Sequence, residues 1–161
     1  ILQETQVLHQ TGPNNFLEVK NLSRAALLDL TLKAELAHRY QPVSYLEDNL
    51  KAALIAADLV VARAGSGTIF EIAAFHKPAI LVPLSGSAND HQRMNALEFA
   101  KTGAAVIVEE ENLLPGIFIN QLKEIFGNPK KMEAMAEAAA KFFKPDAAEI
   151  LAEEILKLAG V

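Results

Sequence analysis

Cysteine is absent from the 161 residues, which removes disulfides, thiolate zinc sites and cysteine nucleophiles together. No run of 18 apolar residues occurs, so no segment reads as a membrane-spanning helix. The opening ILQETQVLHQTG has neither a basic n-region nor a long apolar core, and is not a secretory signal. Positive charge is in deficit. Fifteen Lys and Arg against 20 Asp and Glu leave a net charge of −5, which argues against a protein built to neutralise nucleic-acid phosphates. No two of the four histidines stand at metal-ligand spacing, and no Ser-His-Asp arrangement stands out. Neither a bound metal nor a cofactor is expected.

What is present is ordinary for a globular protein: 51% hydrophobic and 22% charged residues. The length argues for one domain over 1–161. The first residue is Ile1 and the chain opens almost inside an apolar run, so a fragment of a longer protein is expected.

Short β-branched or apolar runs alternate with longer helical patterns. Strands are predicted at 5–10, 42–46, 59–62, 79–83 and 104–108, with 59–62 (LVVA) and 79–83 (AILVP) apolar on both faces, as buried parallel strands require. Helices are predicted over 16–39, broken near Asn21 with Ser23 as a cap, and over 48–57, 68–75 and 91–101, the last closed by Gly103 as a left-handed residue. Further helices cover 115–126 and 130–143, and a final one is capped by Asp146 with Glu149 completing a capping-box pair. This alternation implies right-handed crossovers and an α/β fold: a Rossmann-like parallel sheet with helices on both faces.

Ligands of such sheets bind beyond the carboxyl ends of the strands, so the residues after each strand carry the interest. After 59–62 come Arg63, Ala64, Gly65, Ser66, Gly67 and Thr68, and then a helix. Glycines let backbone N–H groups approach an anion, and a helix N-terminus adds about half a positive charge. The same turn also reads as a tight connection with Ser66 or Thr68 as helix cap. Glu71 lies one turn in, where a carboxylate can accept from a ribose diol or simply favour the helix dipole. After 79–83, the sequence SGSANDHQRMNA places His91, Gln92 and Asn95 near a helix start. Neutral donors and acceptors suit sugar hydroxyls, and equally make a polar first turn. His9 reads as structural, and His38 and His76 as surface residues.

Taken together, these stretches resemble the MurG family, cytoplasmic UDP-N-acetylglucosamine transferases of peptidoglycan synthesis. The matching segments are VLHQTG (7–12), ADLVVARAG (57–65), GTIFEIAAFHKPAILVPL (67–84), DHQRMNALEFAKTGAAVIVEE (90–110) and PDAAEILAEEIL (145–156). They run in order over nearly the whole chain, with 20–40 matching least. The family has two Rossmann-like domains in the GT-B arrangement, and this chain resembles the C-terminal, donor-binding one. The resemblance implies that Glu71 holds the ribose hydroxyls and that Gly65, Ser66, Gly67 and Thr68 meet the nucleotide and diphosphate. Leu46 and Glu47, within 45–48, correspond to the segment around the uracil. His91 and Gln92, with Asn95 beside them, match the residues that read the N-acetylglucosamine hydroxyls. Arg63 is read as shaping the loop or balancing diphosphate charge.

The departures from the family pattern are also informative. The family's opening strand with its Gly-Gly-Ser-x-Gly loop is missing, and so is the acceptor domain with its candidate general base. No catalytic residue is therefore assigned within this chain, and the fragment alone is expected to be inactive. The resemblance implies transfer of N-acetylglucosamine from UDP-N-acetylglucosamine to a lipid-linked muramoyl-pentapeptide. It further implies peripheral contact with the cytoplasmic face of the inner membrane in the full-length protein, and no nucleic-acid partner. The alternatives are another two-domain glycosyltransferase acting on a glycolipid or small molecule, and a donor-binding subunit that works with a separate partner.

Overall fold

A computed structural model describes residues 2, 4–29, 34–86 and 90–159. These fall into two compact units, 1–56 and 57–161.

The first unit holds β1 (Val7–Gln10), α1 (Phe16–Asp29), a 3-10 turn (Ala34–Arg39), β2 (Tyr40–Val43), a second 3-10 turn (Glu47–Asn49) and α2 (Leu50–Ala56). β1 and β2 pair in parallel, with Val7 opposite Tyr40 and Gln10 opposite Val43. Thr11 locks the end of this pair. Its N–H donates to the Val43 carbonyl at 2.9 Å and its hydroxyl to the same oxygen at 3.1 Å, and Gly12 then turns the chain at φ +78°. His9 Nδ1 lies 2.6 Å from the Tyr40 hydroxyl, which links the two strands. Burial pushes the Tyr40 phenol up from its ordinary value. The expected break at Ser23 does not occur. α1 runs through it, and the Ser23 hydroxyl instead donates back to the Lys20 carbonyl at 3.0 Å, the mid-helix alternative to capping.

The second unit holds β3 (Val60–Ala62), α3 (Ser66–Ala74), β4 (Ala79–Leu81), α4 (His91–Lys101), β5 (Ala105–Ile107), a 3-10 turn (Glu110–Asn112), α5 (Pro115–Phe126), α6 (Pro129–Phe142) and α7 (Ala147–Ala159). The order is β3-β4-β5, all parallel. Alternation along the strands divides the core in two. Ala79, Leu81 and Ala105 meet Ile69 and Ile72 of α3 and Ala96 and Phe99 of α4 in one cluster. Ile80 and Val82 meet Leu122 and Ile125 of α5 in the other. α6 contributes Met135 to the second cluster and Ala139 to the first. Central β4 is buried on both faces, as its sequence predicts. β3 is not: Val61 is 45% exposed, on an outer strand of this sheet.

Helix ends follow local chemistry. Asn128 caps α6 by accepting from the Lys131 N–H at 3.1 Å, with Pro129 in the first turn. Gly103, just past α4, has φ +89°, the left-handed closure its sequence predicts. α3 closes by a Schellman pattern. Lys77 N–H donates to the Ile72 carbonyl and His76 N–H to the Ala73 carbonyl. That pattern forces His76 to φ +54°, where a Cβ costs roughly 1–2 kcal/mol. His76→Gly is therefore expected to stabilise the protein by up to about 1 kcal/mol, after glycine's larger loss of backbone entropy is subtracted. Urea unfolding checks this, and a lower midpoint for His76→Gly would contradict it.

Among the described residues, no helix is long and apolar enough to cross a membrane.

Candidate donor-binding site

Gly65 is the N-cap of α3, extended at φ −66° and ψ 144° with no side-chain cap. Its carbonyl accepts the Ile69 N–H at 3.0 Å. The helix thus starts two residues before the predicted 68, so Ser66, Gly67 and Thr68 form its first turn rather than a loop, and neither hydroxyl is the cap. First-turn N–H groups have no carbonyl one turn earlier to bond, and they gather the positive end of the helix dipole.

The two glycines are not there for the backbone. Neither has a positive φ. A Cβ at Gly65 would meet only the Thr68 hydroxyl at 3.8 Å, and one at Gly67 would meet nothing within 4 Å. Glycine here satisfies neither strain nor packing; it leaves the helix terminus bare.

Glu71 stands one turn further on. Ile69, Ile72 and Ala73 face the core, and at about 100° per residue Gly67 and Glu71 fall together on the opposite face. Glu71 is exposed. Helical side chains lean toward the N-terminus, so its carboxylate reaches over the turn that Gly67 leaves open.

α4 begins beside this turn. Its Asn95 side-chain amide donates to the Ala64 carbonyl at 3.2 Å, which ties the second turn of α4 to the residue before the α3 cap. Gln92 Oε1 accepts the Leu84 N–H at 3.0 Å and so holds the segment after β4. His91 is exposed at the first position of α4. The helix is entered through Asp90 in the left-handed region at φ +55°. Two residues predicted to read sugar hydroxyls therefore also anchor backbone at the ligand edge.

Arg63 resolves between its two predicted roles. One guanidinium nitrogen donates to the Val82 and Pro83 carbonyls, each at 3.4 Å. The other pairs with Glu110 Oε1, while Glu110 Oε2 accepts the Ser85 N–H at 3.2 Å. Arg63 shapes the loops, and a carboxylate already meets its charge. The Arg63 hydrogen bond, followed by that from Ser85, holds the Glu110 carboxyl below the usual range. Glu110 was not singled out in the sequence: it is 47 residues from Arg63, and as the middle of the run Glu109–Glu111 it reads as part of a solvated acidic stretch.

A cleft of about 330 Å³ is lined by Leu84, Ser85, Asp90, Arg93, Glu109 and Glu111, among others. It contains none of the predicted site residues. Three carboxylates against one guanidinium make it a poor place for a nucleotide diphosphate.

Leu46 and Glu47 belong to the first unit. Leu46 N–H donates to Gln10 Oε1 at 2.9 Å, and its carbonyl accepts the Asn49 N–H at 2.7 Å, so both of its backbone groups are engaged within that unit. Glu47 takes φ +41°.

The family model of the glycosyltransferase family 28 C-terminal domain matches residues 1–151. The chain belongs to this family. A UDP-N-acetylglucosamine--N-acetylmuramyl-(pentapeptide) pyrophosphoryl-undecaprenol N-acetylglucosamine transferase from Anaeromyxobacter sp. strain K is 34% identical over 97% of this chain and 38% of its own length. The protein of the same name from Bacteroides thetaiotaomicron is 36% identical, over 97% of this chain and 39% of its own. A crystal structure of MurG from Acinetobacter baumannii matches with a TM-score of 0.78 at 30% identity, over 94% of this chain and 43% of the other. The parallel sheets and surrounding helices of the family 28 chain are thus those of a MurG C-terminal domain. The chain spans about two fifths of the length of these relatives.

Proposed function

We propose that this chain is the UDP-N-acetylglucosamine-binding half of an inverting N-acetylglucosaminyltransferase. The observation that carries the reading is the bare first turn of α3, with Gly67 and Glu71 on one exposed face. In this reading the N–H groups of Ser66, Gly67 and Thr68 meet the diphosphate, and Glu71 accepts from the ribose hydroxyls. His91, Gln92 and Asn95 line the sugar side. The relatives are named as N-acetylglucosamine transferases; in the transfer proposed here an acceptor hydroxyl attacks the anomeric carbon, its proton passes to a base, the bond to the diphosphate breaks and UDP departs.

UDP leaves with added negative charge, and preorganised donors aimed at that charge stabilise the transition state. With Arg63 paired to Glu110, the helix terminus carries this task. The base that takes the acceptor's proton is assigned to no residue of this chain. The proposed acceptor is the lipid-linked muramoyl-pentapeptide, met at the cytoplasmic membrane surface by the whole protein. Titration calorimetry with UDP-N-acetylglucosamine tests the reading. Saturable binding that UDP competes away is expected, and binding of neither ligand by the protein as its gene encodes it would overturn the proposal.

A further inference from the structure

Four contacts from three side chains hold the backbone that follows β4. Arg63 takes the Val82 and Pro83 carbonyls, Gln92 takes the Leu84 N–H and Glu110 takes the Ser85 N–H. These side chains come from the end of β3, the start of α4 and the segment after β5. Glu110 and Arg63 clamp as a linked pair: one Glu110 oxygen holds the Ser85 N–H and the other holds Arg63, which itself holds the Val82 and Pro83 carbonyls. We propose that Glu110 is a positioning residue for the sugar half of the donor site. Its carboxylate fixes Arg63 and Ser85 together, and Ser85 adjoins Leu84, whose N–H the Gln92 side chain holds. This rests on the donor-site reading above.

The geometry separates this role from plain stability. Both partners are partly exposed, with side-chain exposures of 47% for Arg63 and 35% for Glu110, and exposed pairs contribute little to folding. Without Glu110, Ser85 loses its acceptor and Arg63 its counter-charge. The loop then samples more positions, and ligand binding must order it again. That penalty falls on the ligand that needs the loop. The ribose and diphosphate contacts lie on α3, whose cap is held separately through Asn95 and Ala64.

The experiment compares UDP and UDP-N-acetylglucosamine affinities by calorimetry for the wild type, Glu110→Ala and Glu110→Gln, in the protein as its gene encodes it. Glu110→Ala is expected to weaken UDP-N-acetylglucosamine about tenfold, while UDP stays within about twofold. Glu110→Gln keeps an acceptor for Ser85 and should recover part of the loss. An unchanged ratio of the two affinities in Glu110→Ala, whether both fall equally or neither falls, would overturn the positioning role. Wild-type protein that binds neither ligand would overturn the donor-site reading itself, so the two failures are distinguishable.

Discussion

Glu71→Ala is expected to lower UDP affinity about thirtyfold and UDP-N-acetylglucosamine affinity by the same factor. Both ligands carry the ribose, and the carboxylate is assigned to its two hydroxyls. Charge-assisted hydrogen bonds are worth about 1.5–3 kcal/mol each where buried. Glu71 is exposed before ligand arrives, so each contact falls below the buried value, at about 1 kcal/mol, and the pair at roughly 2 kcal/mol, which is on the order of thirtyfold. The fold should be indifferent to the change, because the core face of α3 is Ile69, Ile72 and Ala73 and Glu71 points away from it. Calorimetry on the purified variant, paired with a melting curve, decides. An unchanged UDP affinity removes the ribose role, and a collapse in melting temperature assigns Glu71 to structure.

Gly67→Ala should move stability and binding in opposite directions. Gly67 sits in the first turn of α3, without positive φ and with nothing within 4 Å of an added Cβ. Alanine is the better helix former by up to about 1 kcal/mol in a helix interior, and by less in a first turn. The variant should therefore be as stable as the wild type or slightly more so. The added methyl occupies the surface that Glu71 overhangs and that the diphosphate must approach, and a loss of about tenfold in UDP affinity is expected, equivalent to about 1.4 kcal/mol. Glycine retained for folding would give the reverse pattern, with lower stability and unchanged affinity. Chemical denaturation and calorimetry on the same preparation separate the two.

The order of elements was legible because strand and helix periodicities alternate cleanly, and α4 and α5 fall at 91–101 and 115–126, as their capping chemistry indicates. The start of α3 was not legible. Gly65, Ser66 and Gly67 have the composition of a loop, yet Gly67 takes a helical conformation because Ile69 and Ile72 bring the turn onto the sheet. The hydrophobic run 59–62 predicts burial on both faces, but a sequence does not state which strand lies outermost, and Val61 is exposed. That Gly67 and Glu71 share one face follows from their spacing of four residues. The contacts that fix the loops follow from no such spacing. Asn95 is 31 residues from Ala64, and Gln10 is 36 from Leu46; neither separation leaves a periodic trace. Gln92 and Asn95 were chosen for their hydroxyl-reading chemistry, and the same amide groups prove suited to gripping a backbone.

The central claim is that the bare N-terminus of α3 receives the nucleotide diphosphate. An amide-resolved NMR titration of the isotopically labelled protein with UDP tests it most directly, because the N–H groups of Ser66, Gly67 and Thr68 are the proposed ligands. These three resonances are expected to shift most, saturating together with those of Ile69 and Glu71. The acidic cleft is a built-in control: shifts confined to Ser85, Asp90, Arg93, Glu109 and Glu111, with the α3 amides unmoved, would contradict the account.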